Sequence, residues 1–422
     1  MAYVFEDVEE RTPDEVALFA KAAVDTTVTG VSYREYRPNG QMVKGGPIIF
    51  SVSSTPTEYV DLNNITLRVK VRICKEDGTP VTADDKVAFV NYPGHSLFRQ
   101  IDVALQQKVI TTSVGTNYPY KPMLDTLLGE RRAAESQLFI LDRAFNMDDS
   151  DPSSMINSGL SARWTFTKEG QELEMEGPLA IDILEQKRLL LDGVPIDIWL
   201  FPQSDAFVLM ATGGKYTVKI TDAMLRVPHH RMSPALLLGH AEMLKDKNAL
   251  YPFTRSDIRT FNIPMGSFTW TVDNVFQDSV PSRLVVALTS AQGYNGSYEK
   301  NPFNFDHYNL NYLDFMVQGQ SKPGQPYQPN YEEDQFISVF RNFNILNDRR
   351  DYTYIDINKI KGGYAVYVFD LETEKNMIRK GHTRLIMKLA KALTEPVTVI
   401  TYGHFPAMME IDKARNVNVD AP

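Results

Sequence analysis

Apolar and polar positions alternate with period two along much of this chain. Ile65, Leu67, Val69, Val71 and Ile73 are interleaved with Thr66, Arg68, Lys70 and Arg72. Successive side chains of a strand point to opposite faces, so this run predicts a strand with one face in a core and one in solvent. Shorter runs predict strands at Pro47–Val52, Val87–Asn91, Leu97–Leu105, Lys108–Ser113, Leu179–Ile183, Ile196–Phe201 and Tyr216–Arg226. Turn residues separate them, as in Thr55-Pro56-Thr57 and Glu76-Asp77-Gly78-Thr79-Pro80. Regular strands are expected from about Gly46 onward. The period changes after Asn117-Tyr118-Pro119, where Met123, Leu124, Leu127 and Leu128 predict a helix. Gly129 to Gly177 reads as a long, loop-rich stretch, and Pro234 to Lys245 as a helix.

The second half repeats this order. Strands are predicted at Ile258–Ile263, Ser267–Val272, Pro281–Leu288, Tyr308–Val317, Tyr364–Asp370, Thr383–Leu389 and Pro396–His404. Pro323 to Pro329 reads as a proline-rich turn, followed by a helix opening at Asn330-Tyr331 with Phe336, Val339, Phe340 and Phe343 on one face. Asn117-Tyr118 aligns with Asn330-Tyr331, and Gly193–Trp199 with Glu395–Thr401 in residue type. Repeated all-β units of about 200 residues suit jelly rolls, in which eight strands form two packed sheets. The expected fold is therefore all-β: two tandem eight-stranded jelly rolls (a double jelly roll) with short helices and long loops. The expected boundaries are an N-terminal arm at 1–30, a first jelly roll at 31–232, a connector at 233–257, and a second jelly roll with the C-terminal tail at 258–422. Within the arm, Asp14 to Ala23 predicts a short helix behind Thr12-Pro13.

Composition sharpens this picture. A chain of 422 residues is long for one core and suits two. The 22 Phe, 20 Tyr, 24 Gly and 24 Pro fit strands joined by turns. The net charge is -9, and basic residues cluster only in pairs such as Arg131-Arg132 and Arg349-Arg350. A protein that coats nucleic acid directly usually carries a basic face or arm, so direct genome packaging by this chain is not expected, nor is sequence-specific nucleic-acid binding. The single cysteine, Cys74, has no partner for an intramolecular disulfide and reads as a small residue near a strand end. No apolar run is long enough for a transmembrane segment, and Met1 to Arg11 lacks an apolar signal core.

Candidate chemistry is sparse. Seven histidines are scattered: His95, His229, His230, His240, His307, His382 and His404. His229 and His230 are neighbours on a predicted strand and point apart, and His230 and His240 bring no further ligands at a metal-binding spacing. Asp148, Asp149 and Asp151 lack the later Gly and Glu of a calcium loop. Asp84-Asp85 reads as a solvated loop, and Glu332-Glu333-Asp334 as acids at a helix start. Gly213-Gly214 and Gly362-Gly363 read as turns; no nucleophile elbow, phosphate loop or dinucleotide fingerprint occurs. No catalytic, cofactor-binding or metal-binding residue is nominated, and neither enzymatic activity nor a cofactor is expected.

Longer motifs carry a resemblance. They are His95–Leu105, Tyr118–Leu128, Gly46–Phe50, Glu58–Asn64, Glu176–Leu179, Arg188–Val194, Asp273–Phe276, Pro281–Leu284 and Asn301–Asn309. Taken in order, they resemble the hexon-like major capsid proteins of Polinton/Maverick elements and adintoviruses, over roughly residues 30 to 345 and more loosely to the end. The resemblance implies a double jelly roll that forms homotrimers of pseudo-hexagonal outline. Such capsomers tile an icosahedral shell around double-stranded DNA, beside vertex (penton) and minor capsid proteins. It implies a place in the virion capsid, synthesis in the host cytoplasm, assembly in host nucleus or cytoplasm, and integrated copies in animal genomes. Two other readings stand beside it. A minor capsid or vertex protein usually has one jelly roll, and a carbohydrate-binding jelly roll needs a groove with paired carboxylates or stacked aromatics. On the capsid reading, Gly129 to Gly177 and Gln292 to Tyr308 are the expected outer loops. Met1 to Gly30 is expected on the inner side of the shell, ordering on assembly.

Overall fold

The Ile65–Ile73 alternation folds as one strand whose apolar side chains are all buried and whose polar ones are half-exposed. The computed structural model describes residues 26–111, 117–128, 157–347, 357–371 and 380–420. In the first half the strands are β1 (Val28–Tyr36), β2 (Ile48–Val52), β3 (Glu58–Val60), β4 (Thr66–Lys75), β5 (Val87–Phe89), β6 (Phe98–Leu105), β7 (Lys108–Val109), β8 (Leu173–Pro178), β9 (Ile196–Pro202), β10 (Leu209–Ala211) and β11 (Tyr216–Met232). In the second half they are β12 (Ala249–Ile263), β13 (Thr269–Asp273), β14 (Arg283–Ser290), β15 (Leu310–Val317), β16 (Gln320–Tyr327), β17 (Val366–Asp370), β18 (Thr383–Leu389), β19 (Val397–Ile411) and β20 (Val417–Asp420).

Among the described residues two large sheets form in each half, and in the first half β5 and β10 make a separate two-stranded one. The first half has β1-β11-β4-β8 facing β2-β9-β6-β7, and the second has β12-β19-β14-β17 facing β13-β18-β15-β16. Set aside the short β3, β5, β10 and β20, and number the eight remaining strands within each half. Both halves then read 1-8-3-6 in one sheet and 2-7-4-5 in the other. This is the interleaved order of a jelly roll, and it occurs twice. All named pairs are antiparallel; in the first half Leu67 lies opposite Leu225 and Ile73 opposite Val218. Inward side chains such as Val71, Ile196, Ile198 and Leu200 are fully buried. Burying each contributes about 1.5–3 kcal/mol.

The repeat goes deeper than the aligned Asn-Tyr pairs. His95 lies 2.9 Å from the Tyr118 hydroxyl, while the His307 ring stacks on Tyr331 at 4.0 Å. Each histidine stands three residues before an equivalent strand, β6 or β15. Their offset, 307 − 95 = 212, is within one residue of that of the tyrosines, 331 − 118 = 213.

Several expectations change. Pro323 to Pro329 is not a turn: Gln320–Tyr327 is a strand paired with β15. It lies at the edge of its sheet, where prolines that donate no hydrogen bond are tolerated. Leu179–Ile183 is not a strand; pairing stops at Pro178, and Asp182–Glu185 forms a single 3-10 turn. Strand β1 was not expected: it is an edge strand exposed on both faces, so no burial imposes alternation on it. Strand β12 reaches back to Ala249, inside the stretch read as connector, because it pairs with β19 along its whole length. Glu332, Glu333 and Asp334 precede the helix Ile337–Asn347 instead of opening it, and the Glu332 and Glu333 N–H groups donate to Asn330. Within Gly129 to Gly177, the helix Ser158–Thr167 is capped by Asn157, and its Arg163 Nε donates to Phe89 O at 2.7 Å. Residues 129–156, with Asp148, Asp149 and Asp151, and the predicted helix Asp14 to Ala23 lie outside the described residues.

Candidate functional site at the seam between the barrels

The β12-β19-β14-β17 sheet is buried on both sides. Val399, Gly403 and Phe405 point to one face of β19, while Ile400, Tyr402 and His404 point to the other, yet all are buried. The second face meets the first barrel. Ser256 and Ile258 of β12 and Arg283 and Val285 of β14 lie on it, opposite His404 and Tyr402.

The first barrel answers with the helix Tyr120–Leu127, which carries Lys121 and Asp125 at i,i+4 among buried apolar residues. Lys121 Nζ lies 2.9 Å from Asp125 Oδ2, 3.2 Å from Asp182 Oδ1 and 3.4 Å from Glu185 Oε1. Across the seam, the Tyr402 hydroxyl donates to Asp125 Oδ1 at 2.5 Å. Ser256 donates to Asp182 through its N–H at 2.7 Å and also through its hydroxyl. Burial alone would depress the Lys121 ammonium, but Asp125, Tyr402, Glu185 and Asp182 hold it well above the usual lysine range. Burial would raise the Asp125 carboxyl; Lys121, His404 and the Tyr402 hydrogen bond hold it below the usual range instead. Burial pushes the His404 imidazole down to about 4 despite nearby Asp125, so it is neutral at pH 7.

Aromatic and backbone contacts extend the seam. Tyr294 of the second half stacks on Tyr120 at 5.9 Å and donates to Asn117 Oδ1 at 2.7 Å. Phe303 meets Tyr120 edge-on at 5.6 Å, and Tyr298 OH donates to Tyr216 O at 2.7 Å. Gln292 to Tyr308, expected as an outer loop, is thus tied to the first barrel, because its aromatic rings find burial there. Near the chain's end, Arg415 donates to Asp192 O at 2.7 Å and to Asp192 Oδ1 at 2.9 Å. Gly193, at φ +79°, leaves room for that guanidinium: a Cβ there would stand 3.1 Å from Arg415 Nε. A cavity of about 100 Å³ lies in the seam, lined in part by Gln100, Asn117, Lys121, Asp182, Arg255 and Ser256.

The residues weighed in the sequence are dispersed. His229 is 3.0 Å from the Tyr36 hydroxyl, His230 is 3.6 Å from Asp61, and His240 is 2.9 Å from the Tyr59 hydroxyl. Cys74 is buried and free. Asp85 is more than a solvated acid: it accepts from Thr82 N at 2.7 Å and from Tyr216 OH at 3.1 Å, and the Thr82 backbone bond leads in holding its carboxyl far below the usual range. Glu332 and Asp334 pair with Lys391 and Lys361. Among the described residues, no three His, Cys, Asp or Glu side chains gather as metal ligands, and no helix is long and apolar enough to cross a membrane. Sequence reading missed the seam cluster. Its one visible sign was Lys121 and Asp125 inside an otherwise apolar helix.

No family model matches the chain. An uncharacterized protein of Caenorhabditis elegans is 23% identical over 401 residues, spanning 89% of this chain and 94% of the nematode protein. Among solved structures, a chain of the Sputnik virophage particle covers 99% of this chain and 94% of its own, with a TM-score of 0.59 and 11% identity. The mavirus major capsid protein covers 100% and 97%, at a TM-score of 0.54 and 11% identity. The Faustovirus major capsid protein covers 93% and 92%, at 0.54 and 9%. At these identities the likeness is one of fold, and that fold is the double jelly roll.

Proposed function

We propose that this chain is a major capsid protein without catalytic activity, forming trimeric capsomers of pseudo-sixfold outline that tile an icosahedral shell around double-stranded DNA. One observation carries the proposal: the same eight-strand order occurs twice, with the two barrels joined by a buried polar seam. Two like barrels in fixed relation let three chains present six similar units, and a rigid seam keeps those units at one spacing. The end-to-end likeness to virophage, mavirus and Faustovirus chains supports this reading. So does the resemblance of the His95–Leu105 and Tyr118–Leu128 motifs to Polinton and adintovirus capsid proteins. A nematode relative of nearly the same extent fits an element carried in animal genomes. On this reading the protein resides in the virion, and its partners are its own copies with vertex and minor capsid proteins. Native mass measurement and negative-stain imaging of the purified chain test it. Trimers with a hexagonal outline are expected; a stable pentamer would place the chain at a vertex, and a permanently monomeric chain that binds glycans would overturn the proposal.

A further inference from the structure

The seam within the chain joins two unlike surfaces, and the repeat supplies each of them a second time. One surface is the helix between the fifth and sixth strands of the first barrel, Tyr120–Leu127. The other is the outer face of the 1-8-3-6 sheet of the second barrel, where Val285, Ile400, Tyr402 and His404 are buried. The second barrel has its own helix between strands five and six, Ile337–Asn347, and the first its own 1-8-3-6 sheet, β1-β11-β4-β8. Among the described residues these two stand open. Phe336 and Val339 turn inward, while Ile337 is 65% exposed, and Arg341, one turn on, is exposed as well. On the outer face of the sheet, Val31 is 49% exposed and Tyr33 58%, and the exposed Arg226 lies over the Tyr33 ring at 4.6 Å.

Charge fits the same two surfaces. Lys219 and Arg72 stand directly opposite one another on β11 and β4, a like-charge pair that is destabilising unless an anion is brought to it. Neither has an acid in reach among the described residues, and Arg72 Nε is buried without an acceptor. Tyr118 and Tyr331 hold corresponding places before the two helices, so Glu333 corresponds to Tyr120 at the same offset, 333 − 120 = 213. In the seam, Tyr120 donates to Pro302 O at 3.3 Å, and so does Thr289, near the end of β14, at 3.2 Å. Strand β14 is third in its barrel. The third strand of the first barrel is β4, and Arg72 lies near its corresponding end. Glu333 is exposed and has no base in reach among the described residues, so it can supply the anion that Lys219 and Arg72 lack.

We propose that copies of this chain associate head to tail: the Ile337–Asn347 helix of one copy covers the outer face of β1-β11-β4-β8 in the next, with Glu333 brought to Lys219 and Arg72. The contact repeats between chains the one already made within a chain. Unlike half-sites of this kind close into a ring when the rotation permits, with contacts within and between copies alternating around it. The inference rests on the trimeric reading above and names the surfaces that build the trimer.

Two variants of the full chain test it. Ile337→Asp breaks the helix half-site, and Lys219→Glu with Arg226→Glu breaks the sheet half-site. All three side chains are exposed, so urea midpoints are expected to match the wild type. Each variant is expected to weaken association by about tenfold or more in sedimentation and native mass measurement, leaving monomers where the wild type is trimeric. Mixed together, the two can make one sound contact, from the helix of the sheet variant to the sheet of the helix variant. One-to-one pairs are therefore expected, and no trimers. Trimers that persist in either variant, or re-form in the mixture, would overturn this assignment and leave the capsid reading standing. A wild-type chain that stays monomeric would overturn both.

Discussion

Replacing Asp125 with alanine tests whether the seam behaves as a single unit. The carboxylate is 2% exposed and accepts from Lys121 at 2.9 Å and from Tyr402, 277 residues away, at 2.5 Å. Breaking a buried ion pair by deleting one partner costs about 3–5 kcal/mol, because the other charge is left in a poor environment. Lys121 keeps Asp182 at 3.2 Å and Glu185 at 3.4 Å, so the loss falls at the lower end, ~3 kcal/mol. Tyr402→Phe removes one hydrogen bond to a charged group and costs about 1.5–3 kcal/mol. The two residues share one contact, so the double variant is less destabilised than the sum of the singles by ~1 kcal/mol or more. Urea unfolding of the four proteins at pH 7, followed by intrinsic fluorescence, measures all three quantities. A loss under ~1 kcal/mol for Asp125→Ala, or strict additivity, would show that the contact does not join the barrels energetically.

Acid should weaken the fold through His404. Its folded pKa lies at about 4, below the usual 6.5, so between these values the unfolded chain binds more protons and stability falls as pH falls. At ~1.4 kcal/mol per unit the loss approaches ~3 kcal/mol, and His404→Phe should flatten the stability–pH profile between pH 6.5 and 4. Gly403→Ala places a Cβ 2.8 Å from Phe276 and 3.0 Å from Phe405, two buried rings, and is expected to cost about 1–3 kcal/mol in thermal or urea unfolding. Tyr294→Phe deprives the buried Asn117 Oδ1 of its 2.7 Å donor and should cost about 1–2 kcal/mol, with the stacking on Tyr120 retained; an unchanged midpoint would mean the hydroxyl is dispensable.

Strands that cover a core on one side were legible in the sequence. The Ile65–Ile73 run announces β4, and Thr383–Leu389 is found as read, because one-sided burial writes itself as alternation. Where burial is two-sided or absent, that signal disappears. Strand β1 is open on both faces and left no pattern, and the end of β19 beyond His404 was missed although Phe405, Ala407, Met409 and Ile411 alternate as buried residues, because Pro406 and Met408 on its half-exposed face hide that alternation. Pro323 and Pro326 argue against a strand unless the strand is known to lie at an edge, and edge position belongs to tertiary structure. The seam was hidden for a similar reason. Asp125 and Tyr402, or Asp182 and Ser256, acquire meaning only when distant parts of the chain meet. The His95–Tyr118 and His307–Tyr331 pairs were within reach of sequence comparison, since their spacing repeats to within one residue, but a lone histidine carries little weight until its ring partner is known.

The prolines of β16 also bear on what the molecule avoids. An open β-edge offers a row of amide donors to any passing strand and is a standing invitation to fibre growth. Pro323 and Pro326 interrupt that row, and Lys322 between the flanking polar residues adds a charge that a docking strand would have to desolvate. Nascent chains can therefore accumulate at high concentration without zipping together along this margin, so that association is left to side-chain surfaces that select their partners.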